Sequence, residues 1–192
     1  MFDVGTPQSA LDHCRALSQL CHEGAALLQS LTLPVFFAPQ GGAWSPAEHI
    51  RHLSKVTGTI AIGYWLPAWW LATAFGSRTG PSRTYPVIRA EYRLVLVRNP
   101  SAGVFAPRRQ SPPADPDRRR ADILRTWERT VSRFGRALGR WPEARLDRCQ
   151  VPHPRLGPLT LREMASFVVY HTAHHLERVA ERAHAATGSD RG

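Results

Sequence analysis

Leu159-Thr-Leu-Arg-Glu-Met-Ala-Ser-Phe-Val-Val-Tyr-His-Thr-Ala-His-His-Leu-Glu-Arg-Val179 is the stretch from which the rest of the chain can be read. Leu161, Met164, Ala165, Val168, Thr172, Val179 and Ala183 recur at helical steps, so a helix is expected from about 160 to 186. Thr160 sits where an N-cap belongs, and Glu163 follows three residues later, the spacing of a capping box. With Val168 as zero and about 100° per residue, His175 falls near about −20°, His171 near about −60° and His174 near about −120°. His171 and His175 therefore face or flank the core, whereas His174 points away, to the surface or to the edge of a site. Two imidazoles one turn apart, about 6 Å along the axis, can point at one metal ion. A pair of hydrogen-bonded core histidines satisfies the same pattern, because either arrangement provides partners for buried ring nitrogens.

Working outward, three more helices are expected. Residues 9–31 carry apolar side chains at three- and four-residue steps. Their two histidines, His13 and His22, are nine apart and do not share a face, so both read as surface or flanking residues. Ser45-Pro-Ala-Glu48 combines an N-cap, a proline at the first helical position and a capping-box carboxylate, which starts a helix spanning about 46–75. Pro67 should kink or divide it. A further helix is expected over 117–139, with Ile123, Leu124, Trp127, Val131, Phe134 and Leu138 as its core stripe. The proline-rich linker 76–116 holds at most a short ordered piece near Val87–Val97, and 140–158 reads as a second link. Four helices with one long connection between the second and third predict an all-α four-helix bundle in which those two run parallel, a single domain over 1–192.

Composition narrows the class. The net charge of +10 and pI near 10.9 suggest nucleic acid at first sight. However, Lys55 is the sole lysine beside 24 arginines, and ten of those arginines crowd into 76–120 with three acids. Such a bias signals attraction without base readout and argues against a nucleic-acid partner. The crossover arginines are instead candidates to meet an anionic substrate, or they form a solvated basic face. Cys14 and Cys21, seven apart on a helix, lie about 10 Å apart, beyond disulfide reach. The odd thiol count and the absence of a basic, then apolar, leader fit a cytoplasmic protein. Thr57–Phe75 is nearly charge-free, but Pro67, two glycines and the bulk of Trp65, Trp69 and Trp70 make it a poor membrane span. A buried helix, or an aromatic end that meets a second copy in a homodimer, is expected there.

A third ligand for the His171–His175 pair would come from the second helix. Measured from Leu53, His49 falls near about −40° and His52 near about −100°, so periodicity buries His49 more deeply without choosing between them. Trp44-Ser-Pro-Ala-Glu-His-Ile-Arg-His-Leu53, the long crossover, His153-Pro-Arg-Leu-Gly-Pro-Leu-Thr160 and His171-Thr-Ala-His-His175 together resemble the DinB/YfiT-like superfamily. That resemblance implies a left-handed four-helix bundle holding a divalent metal, zinc or nickel, through one histidine of the second helix and two of the fourth. Matched by position these are His52, His171 and His175, and His49 stands where the family has an aliphatic residue. It also implies a metal-dependent hydrolase, or a thiol S-transferase with a low-molecular-weight thiol as co-substrate and a small molecule as substrate. A non-catalytic metal-binding or partner-binding bundle associated with stress is the alternative. Glu48, one turn before His52, reads as the capping carboxylate or as a group that orients the His52 ring.

Overall fold

The computed structural model describes residues 2–39, 42–98, 101–109 and 113–189, with side chains as far as 183. The four long helices are α1 (Ala10–Ser30), α3 (Pro46–Trp65), α6 (Pro116–Leu138) and α8 (Leu161–Ser189). Short pieces join them: α2 (Leu33–Phe37), α4 (Ala68–Phe75), α5 (Tyr85–Arg98), α7 (Glu143–Leu146), and a hairpin of β1 (Gln150–His153) and β2 (Gly157–Thr160).

The helix starts are chemically specified. Ser45 and Glu48 form a reciprocal capping box, with Glu48 N–H donating to Ser45 Oγ at 3.2 Å and Ser45 N–H to Glu48 Oε2 at 2.8 Å. Ser9 and Asp12 do the same for α1. Thr160 and Glu163 do so for α8, at 3.1 and 3.0 Å. Pro67 divides the second helix: Trp65 ends α3, Leu66 is extended, and α4 restarts at Ala68. Of α4 only Leu71 is buried, and Trp69 stays 70% exposed, so the expected buried helix is buried through one residue.

Contacts between the helices give their directions. Gly58 faces Thr130 and Tyr64 packs on Phe134, so α3 and α6 run parallel, as a long crossover permits. His13 meets Ser166 and Gly24 meets Leu176, so α1 and α8 are also parallel. Across the other two sides the order reverses: Cys14 meets Gly135 and Gly24 meets Trp127, while Tyr64 meets Leu161 and His49 meets His175. The helices therefore run up, down, down, up, around a core whose largest fully buried members include Trp127, Tyr64, Phe36 and Phe134.

Two connections hold more structure than proline content suggested. Residues 76–116 contain the 14-residue α5, which lays Ile88 and Tyr92 against the bundle. Residues 140–158 contain α7, all of β1 and the start of β2, with Val151 opposite Leu159. Prolines at 152 and 158 are tolerated because the two-stranded ribbon leaves outer edges on which no N–H is required. The crossover is anchored on Glu163, whose fully buried carboxylate accepts from Arg78 Nη1 at 2.9 Å, Arg83 N–H at 2.7 Å and Arg83 Nη2 at 3.1 Å. None of the described helices is long and apolar enough to cross a membrane.

Candidate metal centre

Helices α3 and α8 meet antiparallel along a row of imidazoles. His52 Nε2 lies 3.2 Å from His171 Nε2, and His171 Nε2 lies 3.1 Å from His175 Nε2. The ligand atoms of these three residues all fall within 4.8 Å of one another, and among the described residues this is the group whose geometry could hold a metal ion. All three side chains are buried. His49 lies behind the cluster, its Nδ1 2.8 Å from His175 Nδ1 and its Nε2 3.4 Å from Arg182 Nη1. The sequence left His49 and His52 open; the structure brings His52 into the converging set and sets His49 behind His175.

The ring of His52 is oriented by a partner that no motif announced. Its Nδ1 stands 2.8 Å from the carbonyl oxygen of Phe105, in a 3₁₀ turn (Gly103–Phe105) of the crossover. A carbonyl only accepts, so the proton of the neutral ring sits on Nδ1 and the lone pair on Nε2 turns inward. Lys55 Nζ holds the same segment through Val104 O at 2.6 Å, and Arg51 through Arg108 O at 3.0 Å. Glu48, the alternative orienter, spends its carboxylate on the helix cap. The indole of Trp44 covers the cluster, stacked on His175 at 6.0 Å and tilted on His52 at 4.9 Å, while Arg182 donates to its carbonyl.

Burial dominates the electrostatics. It holds His171 and His175 well below the ordinary imidazole value, with neighbouring imidazoles adding repulsion against a second charge. His49 is pushed down to about 3 by burial and then by the Arg182 guanidinium. His52 is lowered by burial, partly offset by the Phe105 carbonyl. Neutral imidazoles with inward lone pairs are the form in which histidine ligates a metal. The donor set fits a cation: with the His52 proton committed to Phe105, the converging nitrogens are short of hydrogens to share, and a cation accepts all three lone pairs.

The cluster opens on a cavity of about 860 Å³, lined by apolar side chains that include Val56, Ile60, Leu66, Phe75, Leu96 and Met164. His174 is half-buried and lines it too, consistent with its angle away from the stripe. His153 enters from the hairpin, buried, edge-on to Phe167 at 4.4 Å, with burial pushing it down to about 4. Its Nδ1 accepts from Arg155 N–H at 3.2 Å and Leu156 N–H at 3.0 Å, which leaves the proton on Nε2.

One expectation needs correction, and one alternative closes. His13 is not at the surface: it is 1% exposed, with Nδ1 2.7 Å from Ser9 O and Nε2 2.8 Å from Ser166 Oγ. It joins the Ala16, Leu17, Leu20 stripe, a periodicity that was available in the sequence. The described crossover arginines do not line the cavity; Arg78 and Arg83 neutralise Glu163, and the cavity arginines are Arg155, Arg178 and Arg182.

The sequence model of the DinB superfamily matches residues 16–179. No curated protein matches the chain. Among solved structures the chain is similar to YfiT from Bacillus subtilis, described as a probable metal-dependent hydrolase with an unusual four-helix bundle topology. The TM-score is 0.60 at 15% identity, covering 93% of this chain and 87% of that one. At that identity the likeness speaks for the fold.

Proposed function

Since the chain belongs to the DinB superfamily, we propose that it is a metal-dependent enzyme in which His52, His171 and His175 hold one divalent ion, zinc or nickel. The observation that carries this reading is the convergence of the ligand nitrogens of three buried imidazoles within 4.8 Å of one another at the wall of a cavity. A divalent ion held by three histidines supplies Lewis acidity, lowering the pKa of water or of a thiol so that either attacks as its anion near neutral pH. Hydrolysis and S-transfer with a low-molecular-weight thiol are both within that chemistry.

The chain's own residues have definable parts. Phe105 O and His49 hold the outer nitrogens of His52 and His175, fixing ring orientation. Trp44 and the apolar wall exclude water from the imidazoles. His153, with its proton on Nε2, is placed to donate a hydrogen bond to a bound substrate. The three cysteines do not serve as nucleophiles: none lines the cavity, and burial raises each thiol, Cys21 to about 12.

Elemental analysis of protein purified without a His-tag tests the site. About one equivalent of metal is expected in the native chain and none in His171→Ala, since two imidazoles do not replace three. A metal-free native chain, or an unchanged content in the variant, would refute it. A thiol-conjugation assay beside an ester-hydrolysis assay then separates the two reactions. Bound metal without turnover in either favours a non-catalytic metal-binding bundle.

A further inference from the structure

The cavity has a direction. On α8 the residues that line it are Met164, Phe167, His171, His175, Arg178 and Arg182 at three- and four-residue steps, with His174 beside His175. The order is apolar, then imidazole, then guanidinium. On α3, which runs the opposite way, His49 and His52 are followed by Val56 and Ile60, and by Leu66 just past the helix end, so the two walls change polarity in the same direction. From Met164 to Arg182 is about 27 Å of helix, with Arg178 roughly one turn past His175 and Met164 about 10 Å or more before His171. None of the lining residues is acidic, and the third lining arginine, Arg155, stands apart from this stripe, on the hairpin beside His153. Arg178 pairs with Glu181 at 3.3 Å, but that carboxylate is 64% exposed and competes weakly. Arg182 spends one nitrogen on Trp44 O.

A wholly apolar ligand would leave the guanidinium end without an anion, and a small polar one would leave the apolar end wet. We infer that the substrate is amphipathic: an anionic group, carboxylate or phosphate, seated at Arg178 and Arg182, with an aliphatic or aromatic body running past the histidines to Met164 and Leu66. The inference rests on the reading above, in that the histidines are taken as the place of reaction. It adds that the bond they meet lies about one to two helical turns from the anionic group.

Calorimetric titration of the full-length, metal-free chain with decanoate, 1-decanol and propionate tests this. Decanoate is expected to bind, 1-decanol about tenfold more weakly, and propionate without measurable heat. Arg178→Ala combined with Arg182→Ala is expected to weaken decanoate about tenfold and leave 1-decanol unchanged, the latter showing that the groove is still folded. Leu66→Glu is expected to abolish decanoate binding. The inference fails if decanoate does not bind, if 1-decanol or propionate binds equally well, or if the arginine variant keeps its decanoate affinity. Metal uptake on the same preparations separates the two readings. Metal without decanoate binding overturns this one alone, and decanoate binding by a chain that takes up no metal supports this one and overturns the metal site.

Discussion

Acid should unfold the metal-free protein in a way that traces to single histidines, and His153 gives the cleanest case. Its folded value is pushed from 6.5 to about 4, chiefly by burial and then by the Arg155 guanidinium. Below pH 6.5 the unfolded chain takes up a proton that the folded chain refuses, so stability present above that pH is lost as pH falls toward about 4. At about 1.4 kcal/mol per pH unit, His153 alone removes roughly 3 kcal/mol over that window, and roughly 2 kcal/mol by pH 5. His49 and His13 are also lowered and act with the same sign, so the native chain should lose more than this in total. The contribution of one residue is isolated by His153→Asn, because the asparagine amide oxygen can take the place of Nδ1 and accept from Arg155 and Leu156 N–H without titrating. Urea unfolding in chelator at pH 7, 6 and 5 should give the variant a shallower acid dependence, by roughly 2 kcal/mol at pH 5. Parallel pH curves for the two proteins, or a steeper one for the variant, would refute the reasoning.

Three further outcomes are expected. His52→Ala should abolish metal binding, whereas His49→Ala, which removes the partner behind His175, should weaken it about 10- to 100-fold; competition with a chromophoric chelator reads both, and the reverse order would exchange their roles. Gly24→Ala brings a Cβ within 2.7 Å of Leu176 Cδ2 and 2.8 Å of Trp127 Cη2, so overpacking outweighs the gain in helix propensity. A net loss of about 1 kcal/mol in urea midpoint stability follows, and a stabilised variant would contradict the close approach of α1 to α8 and α6. Glu163→Gln leaves Arg78 and Arg83 without their buried counter-charge; with both guanidinium groups partly exposed, the cost is about 2 kcal/mol, and a Tm within one or two degrees of the parent would show the cluster to be dispensable.

Much of this architecture can be read directly from residue spacing. The Ser45–Glu48 and Thr160–Glu163 boxes, Pro67 and the stripes of α6 and α8 are local signals, and local signals survive folding. The parallel pairing of α3 with α6 also follows, since helix count and connection length leave few arrangements. Proline density hid the order in residues 76–116 and 140–158, because α5 and the β1–β2 ribbon are stabilised by packing on α8 rather than by propensity. His13 belongs to the stripe of Leu17 and Leu20, a better guide to its burial than its nine-residue separation from His22. The Phe105 contact is a different kind of omission. It is made by a backbone oxygen 53 positions from His52, and a peptide carbonyl has no residue-type signature. Angular counting found that His49 is buried, but not that it stands behind His175, because the periodicity of one helix carries no information about register against another.

That register has a consequence for how the chain finds one fold. Aliphatic stripes on two facing helices are nearly degenerate to a slip of one turn, about 5.4 Å, since Leu meets Val about as well in either setting. The α3–α8 seam is keyed instead by polar rungs: His49 on His175, His52 on His171, and Tyr64 Oη donating to Leu161 O at 2.5 Å. A one-turn slip would keep one imidazole opposite another but set the other two, and the Tyr64 hydroxyl, against hydrocarbon, leaving buried polar groups unpaired at a cost of a few kcal/mol per group. The histidines therefore discriminate between alignments even before any ligand arrives, much as a lone polar residue selects the register of a coiled coil. A variant in which the seam is made wholly aliphatic should gain stability and lose uniqueness together.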